Sequence, residues 1–222
     1  YKHKLIYKDK IKEFLGNEYT AFGTAIHHVC ELAVVDDKVD MLKEFNVKFL
    51  EELKLLTEKK VELKKKLVND MRTQGKNLLK YILPALKDNF SSFEVVSVEE
   101  DLLLPIENTD IKFKGFIDLV IKTDDGKYHV IDWKTCSWGW DSKKKADRIT
   151  SYHQITLYKK FFALKHNIDP KNIETHFALL KRTAKSNNVE IFRVTSGPKK
   201  TDNAFNLLNK AVYNISRNNH VK

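Results

Sequence analysis

Three charged residues stand inside apolar runs of the sequence, where a charged side chain is costly. The segment HVIDWKTCSWGW at 129–140 contains Asp132 and Lys134, and the earlier segment GFIDLVI contains Asp118. Side chains alternate along a β-strand, so Asp132 and Lys134 are expected on one face of a strand. Burying an unpaired charge is unfavourable by several kcal/mol. These residues therefore require a compensating charge or a metal ion.

The spacing between the two segments decides whether the aspartates meet. A two-residue turn would pair Asp118 with Trp133, whereas a three-residue loop at 124–126 pairs Asp118 with Asp132. The three-residue loop needs a left-handed residue, commonly glycine, in its third position, and Gly126 stands there. The sequence therefore predicts a hairpin in which the two aspartates face each other.

Two facing aspartates imply a particular chemistry. Their Cβ atoms would lie about 5 Å apart, and the carboxylates would repel each other unless a divalent cation lay between them. Carboxylate oxygens suit Mg²⁺ or Mn²⁺, and Lys134 beside such an ion could stabilise charge on a reacting phosphate. The alternative is a buried Asp132–Lys134 ion pair with Asp118 as a chance neighbour.

Periodicity predicts an α/β chain built around a mixed sheet covered by helices on both faces. Strict alternation places Phe116, Asp118 and Val120 on one face of their strand, and Ile117, Leu119 and Ile121 on the other. We expect one domain over 1–222, with a helical insertion at about 36–90. The predicted helices are 20–35, 40–88, 147–167 and about 200–217, and the predicted strands are 92–105, 114–123, 127–136, 173–181 and 189–195.

Charge and composition indicate the class of partner. The chain has 222 residues, a net charge of +10 and few arginines among its 40 basic residues. A basic chain attracts polyanions such as DNA, but lysine is a poor reader of base edges. Two cysteines cannot form a four-cysteine iron–sulfur site and favour a reducing, cytoplasmic compartment. No apolar run approaches the roughly 20 residues of a membrane-spanning helix.

Four further residues are weaker candidates for nucleic-acid contacts. Trp138 and Trp140 follow the acid–lysine strand and could stack on bases, although packing in the core or in a lid is the alternative. Lys181 and Arg182 end a predicted strand and could contact phosphate, although they could equally be solvated surface charges.

The ordered motifs resemble the PD-(D/E)XK nuclease superfamily, and within it the RecB-like exonuclease branch. The resemblance covers about residues 20–160. The matching pieces are G-x-x-x-H at 23–27, G-x-I-D at 115–118, D-x-K-T at 132–135 and Q-x-x-x-Y at 154–158. It implies a restriction-endonuclease-like core and a DNA nuclease that requires Mg²⁺ or Mn²⁺.

The resemblance also implies roles for single residues. His27, Asp118 and Asp132 would bind the metal, with the backbone carbonyl of Trp133 as a further ligand. Lys134 would be the catalytic lysine. Gln154 and Tyr158, one helical turn apart, would position the lysine and the DNA strand. Glu99, with Glu100 as a rival, resembles the glutamate that ends the first core strand.

The reaction implied is hydrolysis of phosphodiester bonds at DNA ends or in single strands. The alternatives are a catalytically inactive DNA-binding module on the same fold and a sequence-specific restriction-type endonuclease. The chain contains no phosphate-binding glycine loop of the ATPase type, so no ATP-driven motor is predicted.

Overall fold

A mixed five-stranded sheet with helices on both faces forms the centre of the molecule. The computed structural model describes residues 14–146 and 152–217. The helices are α1 (Glu18–Val35), α2 (Met41–Glu58), α3 (Lys65–Leu79), α4 (Ile82–Phe90), α5 (Ser142–Lys145), α6 (His153–His166) and α7 (Pro198–Ser216). The strands are β1 (Phe93–Pro105), β2 (Lys112–Thr123), β3 (Tyr128–Cys136), β4 (Ile173–Lys181) and β5 (Val189–Val194).

The strands follow one another across the sheet in the order β1-β2-β3-β4-β5. Only β3 and β4 run parallel, and α6 lies between them in the sequence. The pairs β1–β2, β2–β3 and β4–β5 are antiparallel. This arrangement confirms the predicted mixed α/β fold with a restriction-endonuclease-like core.

Each face of the sheet has its own hydrophobic cluster. On one face, α1 to α4 cover strand residues such as Leu119, Ile131 and Trp133. On the other face, α6 and α7 cover residues such as Val120 and Val130. Because both faces are covered, Asp132 on the central strand β3 is buried.

The β2–β3 hairpin has the predicted register. Leu119 pairs with Ile131 and Val120 with Val130, so one more step in this register sets Asp118 opposite Asp132. The loop at 124–126 contains three residues between the last hydrogen-bonded positions, and Gly126 adopts the left-handed conformation with φ of 79°. The ladder ends at the Leu119–Ile131 pair, and beyond it the side chain of Asp118 accepts a hydrogen bond from the backbone N–H of Trp133.

Strict alternation along β2 was wrong at Ile117. Ile117 packs in the same cluster as Val120, whereas Leu119 packs in the opposite cluster. The irregularity lies at the step between the Val98–Leu119 and Glu100–Ile117 pairs, where Glu99 has a positive φ of 46°. A kink of this kind re-aims the side chains beside it.

The single helical segment predicted at 40–88 is three helices. The first break contains Lys60, whose φ is 59°. The second lies at Lys80–Tyr81, just before Pro84 in the first turn of α4. A proline lacks the N–H that a helix interior needs, so it favours a new helix start over continuation.

Other elements agree with prediction to within a few residues. Of the helix predicted at 147–167, residues 147–151 lie outside the described residues, and α6 begins at His153. The short helix α5 was not predicted. None of the helices in the described residues is both long and apolar enough to cross a bilayer.

Candidate active site

Asp118 is held between the hairpin strand and α1. Its Oδ2 atom accepts a hydrogen bond of 2.7 Å from the backbone N–H of Trp133. Its Oδ1 atom lies 3.7 Å from Nδ1 of His27. The side chains of His27 and Asp118 are 28% and 19% exposed, so this pair lies at the rim of the site.

Asp132 lies deeper, and its partner Lys134, which is 29% exposed, leads into a chain of polar contacts on α6. Nζ of Lys134 is 2.6 Å from Oδ2 of Asp132, as an ion pair whose angles are not those of a hydrogen bond. The same ammonium donates a hydrogen bond of 3.0 Å to Oε1 of Gln154. Nε2 of Gln154 in turn donates to the hydroxyl of Tyr158 at 3.1 Å. Lys134 is therefore positioned from both the sheet and the helix.

Burial dominates the electrostatics of Asp132. Its side chain is 3% exposed, and this desolvation raises the pKa of the carboxyl group to about 6, against the opposing effect of Lys134 and with Asp118 adding to the rise. A carboxyl group perturbed in this way marks a candidate functional site.

The helix α1 brings a further acidic residue to the site, one that was not predicted from the sequence. Glu31 lies four residues after His27 and therefore on the same helical face. Burial first, and then the neighbouring Glu99 carboxylate, raise the pKa of Glu31 to about 7. The interaction with Glu99 therefore favours the protonated form of Glu31. In the sequence, the i, i+4 spacing from His27 could have indicated Glu31 as a site residue.

The kink in β1 separates Glu99 from Glu100. Glu99 reaches towards α1 and Glu31, whereas Glu100 contacts Lys165 at 2.8 Å and His166 at 2.7 Å near the C-terminal end of α6. Glu99 is therefore the glutamate that lies near the site.

Two motif glycines permit close packing around the site. A Cβ atom on Gly115 would lie 2.8 Å from Cε1 of Tyr158, so only glycine leaves room for that ring. A Cβ atom on Gly23 would touch Oγ1 of Thr135 at 3.4 Å, which places α1 against the end of β3. The G-x-x-x-H and D-x-K-T motifs meet at this contact.

The chemistry of the donor set fits a hard divalent cation. Oδ2 of Asp132 is buried without a hydrogen-bond partner, and Asp118 and His27 lie beside it. However, the three ligand atoms are not clustered tightly. Within the described residues, the group whose ligand atoms all lie within 4.8 Å of one another is His129, Glu174 and His176, outside this site. A metal bound by His27, Asp118 and Asp132 would therefore require these side chains to move closer together.

Of the four weaker candidates for nucleic-acid contacts, one side chain is exposed and three have partners within the protein. Trp138 is 77% exposed. Trp140 packs against Phe177 with ring centroids 5.2 Å apart, and the buried Lys181 pairs with Glu190.

Arg182 also has hydrogen-bond partners within the protein. It donates hydrogen bonds to Oε1 of Gln74 and Oγ of Ser137 at 2.7 and 2.8 Å. These contacts favour structural roles for Trp140, Lys181 and Arg182.

Comparison with known proteins defines the class of protein. A model of the PD-(D/E)XK nuclease superfamily matches residues 1–220, and the chain therefore belongs to this superfamily. No curated protein matches the chain significantly.

Solved structures support the fold. The crystal structure of a proposed exonuclease from Eubacterium rectale aligns with a TM-score of 0.58 and 11% identity, over 98% of this chain and 74% of that one. At this identity the likeness concerns the fold alone. The crystal structure of SSO0001 aligns with a TM-score of 0.39 and 16% identity, over 87% of this chain and 86% of that one, which is too low to support an argument.

Proposed function

We propose that this superfamily member is a metal-dependent DNA nuclease with Asp118, Asp132 and Lys134 at its catalytic centre. The observation that carries the proposal is the buried Asp132 carboxylate, 2.6 Å from Lys134, with Asp118 one residue beyond the Leu119–Ile131 pair of the hairpin. Loss of catalysis in this fold normally removes one of these groups, and all three are present.

The protein residues have separable tasks. His27, Asp118 and Asp132, with the Trp133 carbonyl and Glu99 as further candidates, would hold Mg²⁺ or Mn²⁺. Such an ion would supply an activated water molecule and neutralise charge on the scissile phosphate.

Lys134 would donate to a phosphate oxygen as negative charge develops during hydrolysis. Its hydrogen bond to Gln154 fixes the ammonium direction, and Tyr158 fixes Gln154. Gln154 and Tyr158 are thus positioning residues in this proposal.

In this proposal the nuclease acts at DNA ends or in single strands. Support comes from the RecB-like combination of His27 with Gln154 and Tyr158, and from the fold shared with the Eubacterium rectale protein. The net charge of +10, supplied mostly by lysine, favours binding of the backbone over reading of bases. The free cysteines Cys30 and Cys136 favour a reducing, cytoplasmic setting.

Digestion of end-labelled DNA tests the proposal. Linear and circular substrates, each single- and double-stranded, are incubated with Mg²⁺, Mn²⁺ or EDTA. We expect metal-dependent loss of linear DNA, reduced by about 10²–10³-fold in Lys134→Ala, the scale of losing one charge-stabilising donor. The exposed Lys87 on α4 provides the matched control Lys87→Ala, which should retain wild-type activity.

Other patterns of reaction products would indicate a different activity. Discrete fragments from circular DNA would indicate an endonuclease of the restriction type. DNA binding without cleavage under any metal condition would indicate an inactive binding module and would refute the catalytic proposal.

A further inference from the structure

A second group of potential metal ligands lies away from the candidate active site. His129 lies on β3, and Glu174 and His176 lie on β4. The parallel register pairs His129 with Glu174 and Ile131 with His176, which places the three side chains on one face of the sheet.

Their contacts bring three ligand atoms together. Nδ1 of His129 is 3.0 Å from Nε2 of His176, and Oε2 of Glu174 is 3.9 Å from the same nitrogen. Two nitrogens bound to a tetrahedral Zn²⁺ at its usual bond length would lie about 3.4 Å apart, so a small outward shift of the rings would admit the ion. Two imidazoles and one carboxylate are a donor set that Zn²⁺ uses in three-ligand sites.

We propose that His129, His176 and Glu174 form a Zn²⁺ site distinct from the nuclease site. Imidazole nitrogen selects zinc and related transition metals, whereas Mg²⁺ prefers oxygen ligands. A surface depression of about 350 Å³ beside His129 provides access from solvent.

An outer hydrogen-bond chain fixes the orientation of His129. Its Nε2 atom is 2.9 Å from Oγ1 of Thr123, and this hydroxyl donates to Oδ1 of Asp125 at 2.6 Å. Because the hydroxyl proton is directed to Asp125, Nε2 of His129 is assigned as the donor to Thr123. Nδ1 of His129 is then unprotonated and faces His176. Metal-binding histidines are commonly held by such a second hydrogen bond.

The surroundings pack closely around the two histidines. The ring of Phe90 packs against both imidazoles, with centroid distances of 4.9 Å to His129 and 5.2 Å to His176. Both histidines are 7% exposed. Their buried position lowers the pKa of each imidazole.

The carboxylate of Glu174 divides its two oxygens between different partners. Oε1 lies 3.1 Å from Arg193 and 3.5 Å from Lys127, whereas Oε2 faces His176. The two cations lower the affinity for a metal, but they also fix the carboxylate and direct Oε2 towards the imidazoles.

The proposed zinc site lies on the face of the sheet that α4 covers, whereas the Asp132–Lys134 pair lies on the face that α6 covers. His129 faces α4 through Phe90, whereas Lys134, which pairs with Asp132, contacts Gln154 on α6. His129 and Asp132 are three positions apart along β3, which is about 10 Å. The zinc site would join the β2–β3 hairpin to β4, and it does not depend on the proposed nuclease activity.

Zinc binding to metal-stripped full-length protein tests the proposal. EDTA-treated protein is titrated with Zn²⁺ against a chromophoric chelator, and with Co²⁺ while visible absorption is recorded. We expect one tightly bound zinc per chain, a tetrahedral Co²⁺ spectrum and a higher melting temperature in zinc. His129→Gln and His176→Gln should each weaken zinc binding by more than about 100-fold, and Thr123→Val by about 10–100-fold.

Variants at the other site make the assignment specific. Asp132→Asn and His27→Ala should leave this zinc affinity unchanged, and His176→Gln should retain Mg²⁺-dependent DNA cleavage. If His176→Gln does not fold, Glu174→Gln, at a half-buried position, provides the same affinity measurement. Absence of zinc binding in the wild type would reduce the cluster to a hydrogen-bonded histidine pair and overturn the proposal. Zinc binding that survives both histidine substitutions, or that Asp132→Asn abolishes, would overturn it equally.

Discussion

Among single residues, Asp132 combines deep burial with a charge that the proposed chemistry requires. Its position was predictable, because the D-x-K spacing and the glycine-containing loop together set it opposite Asp118. Glu31 was missed because carboxylates on helices are commonly solvated and only its contact with Glu99 distinguishes it. His129 and His176 were missed for another reason: they are 47 residues apart, and only the β3–β4 pairing joins them.

Replacement of Asp132 by asparagine should stabilise the protein at neutral pH. The pKa of Asp132 is raised from 3.8 to about 6 in the folded state, so the folded chain retains a proton that the unfolded chain loses. The free energy of unfolding therefore falls as pH rises from about 4 to about 6, by about 1–3 kcal/mol. In EDTA, Asp132→Asn should gain this amount at pH 7 and nothing near pH 4.

Urea denaturation of both proteins from pH 4 to pH 7.5 measures the difference. Asp110→Asn, at an exposed position, is the control and should show no such pH-dependent gain. A constant difference between wild type and Asp132→Asn at every pH would contradict the prediction.

Alanine at Gly115 should reduce cleavage by displacing Tyr158. The added Cβ would lie 2.8 Å from the tyrosine ring, which would break the hydrogen bond to Gln154 and release Lys134. We expect a loss of about 1–3 kcal/mol in stability, as is usual for overpacking. Cleavage should fall by about tenfold, measured as kcat on linear DNA.

A second substitution separates these two effects. Gly115→Ala with Tyr158→Ala should regain part of the stability but not the activity. Gly197→Ala is the control, since its Cβ would have no neighbour within 4 Å. Full activity in Gly115→Ala would show that Tyr158 does not position the lysine.

Among the secondary-structure elements, α6 both presents Gln154 to the site and is tied to β1 at its other end. Sequence periodicity located α6 and most strands because each buries a regular apolar face. It could not locate the kink at Glu99, since that conformation depends on pairing with β2. Sequence periodicity also predicted α2, α3 and α4 as a single helix, although Pro84 indicated a helix start.

Glu100→Gln should loosen the attachment of α6 to β1. Burial opposes ionisation of Glu100, but hydrogen bonds from Lys165 and His166 outweigh it and lower the pKa of the carboxyl group. A lowered pKa means that this stabilisation is present above the ordinary glutamate pKa of 4.5 and is lost as pH falls through the folded-state value. We expect Glu100→Gln to lose about 1 kcal/mol at pH 7.

Thermal and urea denaturation at pH 7 and in acid provide the measurement. The deficit should shrink in acid, where the wild-type carboxylate is protonated. Glu107→Gln, at an exposed loop position, serves as the control. A deficit that is equal at both pH values would assign the role of Glu100 to packing instead.

The molecule as a whole has a net charge of +10 and a sheet whose two faces are both covered. We propose that the helices of the 36–90 insertion belong to one domain with this sheet, because Phe49 and Leu53 of α2 share a hydrophobic cluster with Leu119 and Ile131. The net charge was evident from sequence, but its distribution around the site depended on the fold.

Binding of DNA should depend strongly on salt and weakly on sequence. A protein that neutralises about six phosphates loses about 10³-fold in affinity between roughly 50 and 200 mM salt. Fluorescence anisotropy with Lys134→Ala, which should bind without cleaving, measures this dependence on several unrelated oligonucleotides. Salt-insensitive binding, or a large preference for one sequence, would favour a base-reading enzyme.

The kink at Glu99 also affects the free edge of the sheet, where a strand of another molecule could pair. β1 is the outermost strand of the described sheet and is 13 residues long, so its free side offers backbone donors and acceptors to a neighbouring chain. The register shift between Val95 and Ser97, together with the positive φ at Glu99, interrupts that row. The irregularity that turns Glu99 towards the site therefore also protects this edge from intermolecular strand pairing, and a variant with a straightened β1 would be more prone to aggregate.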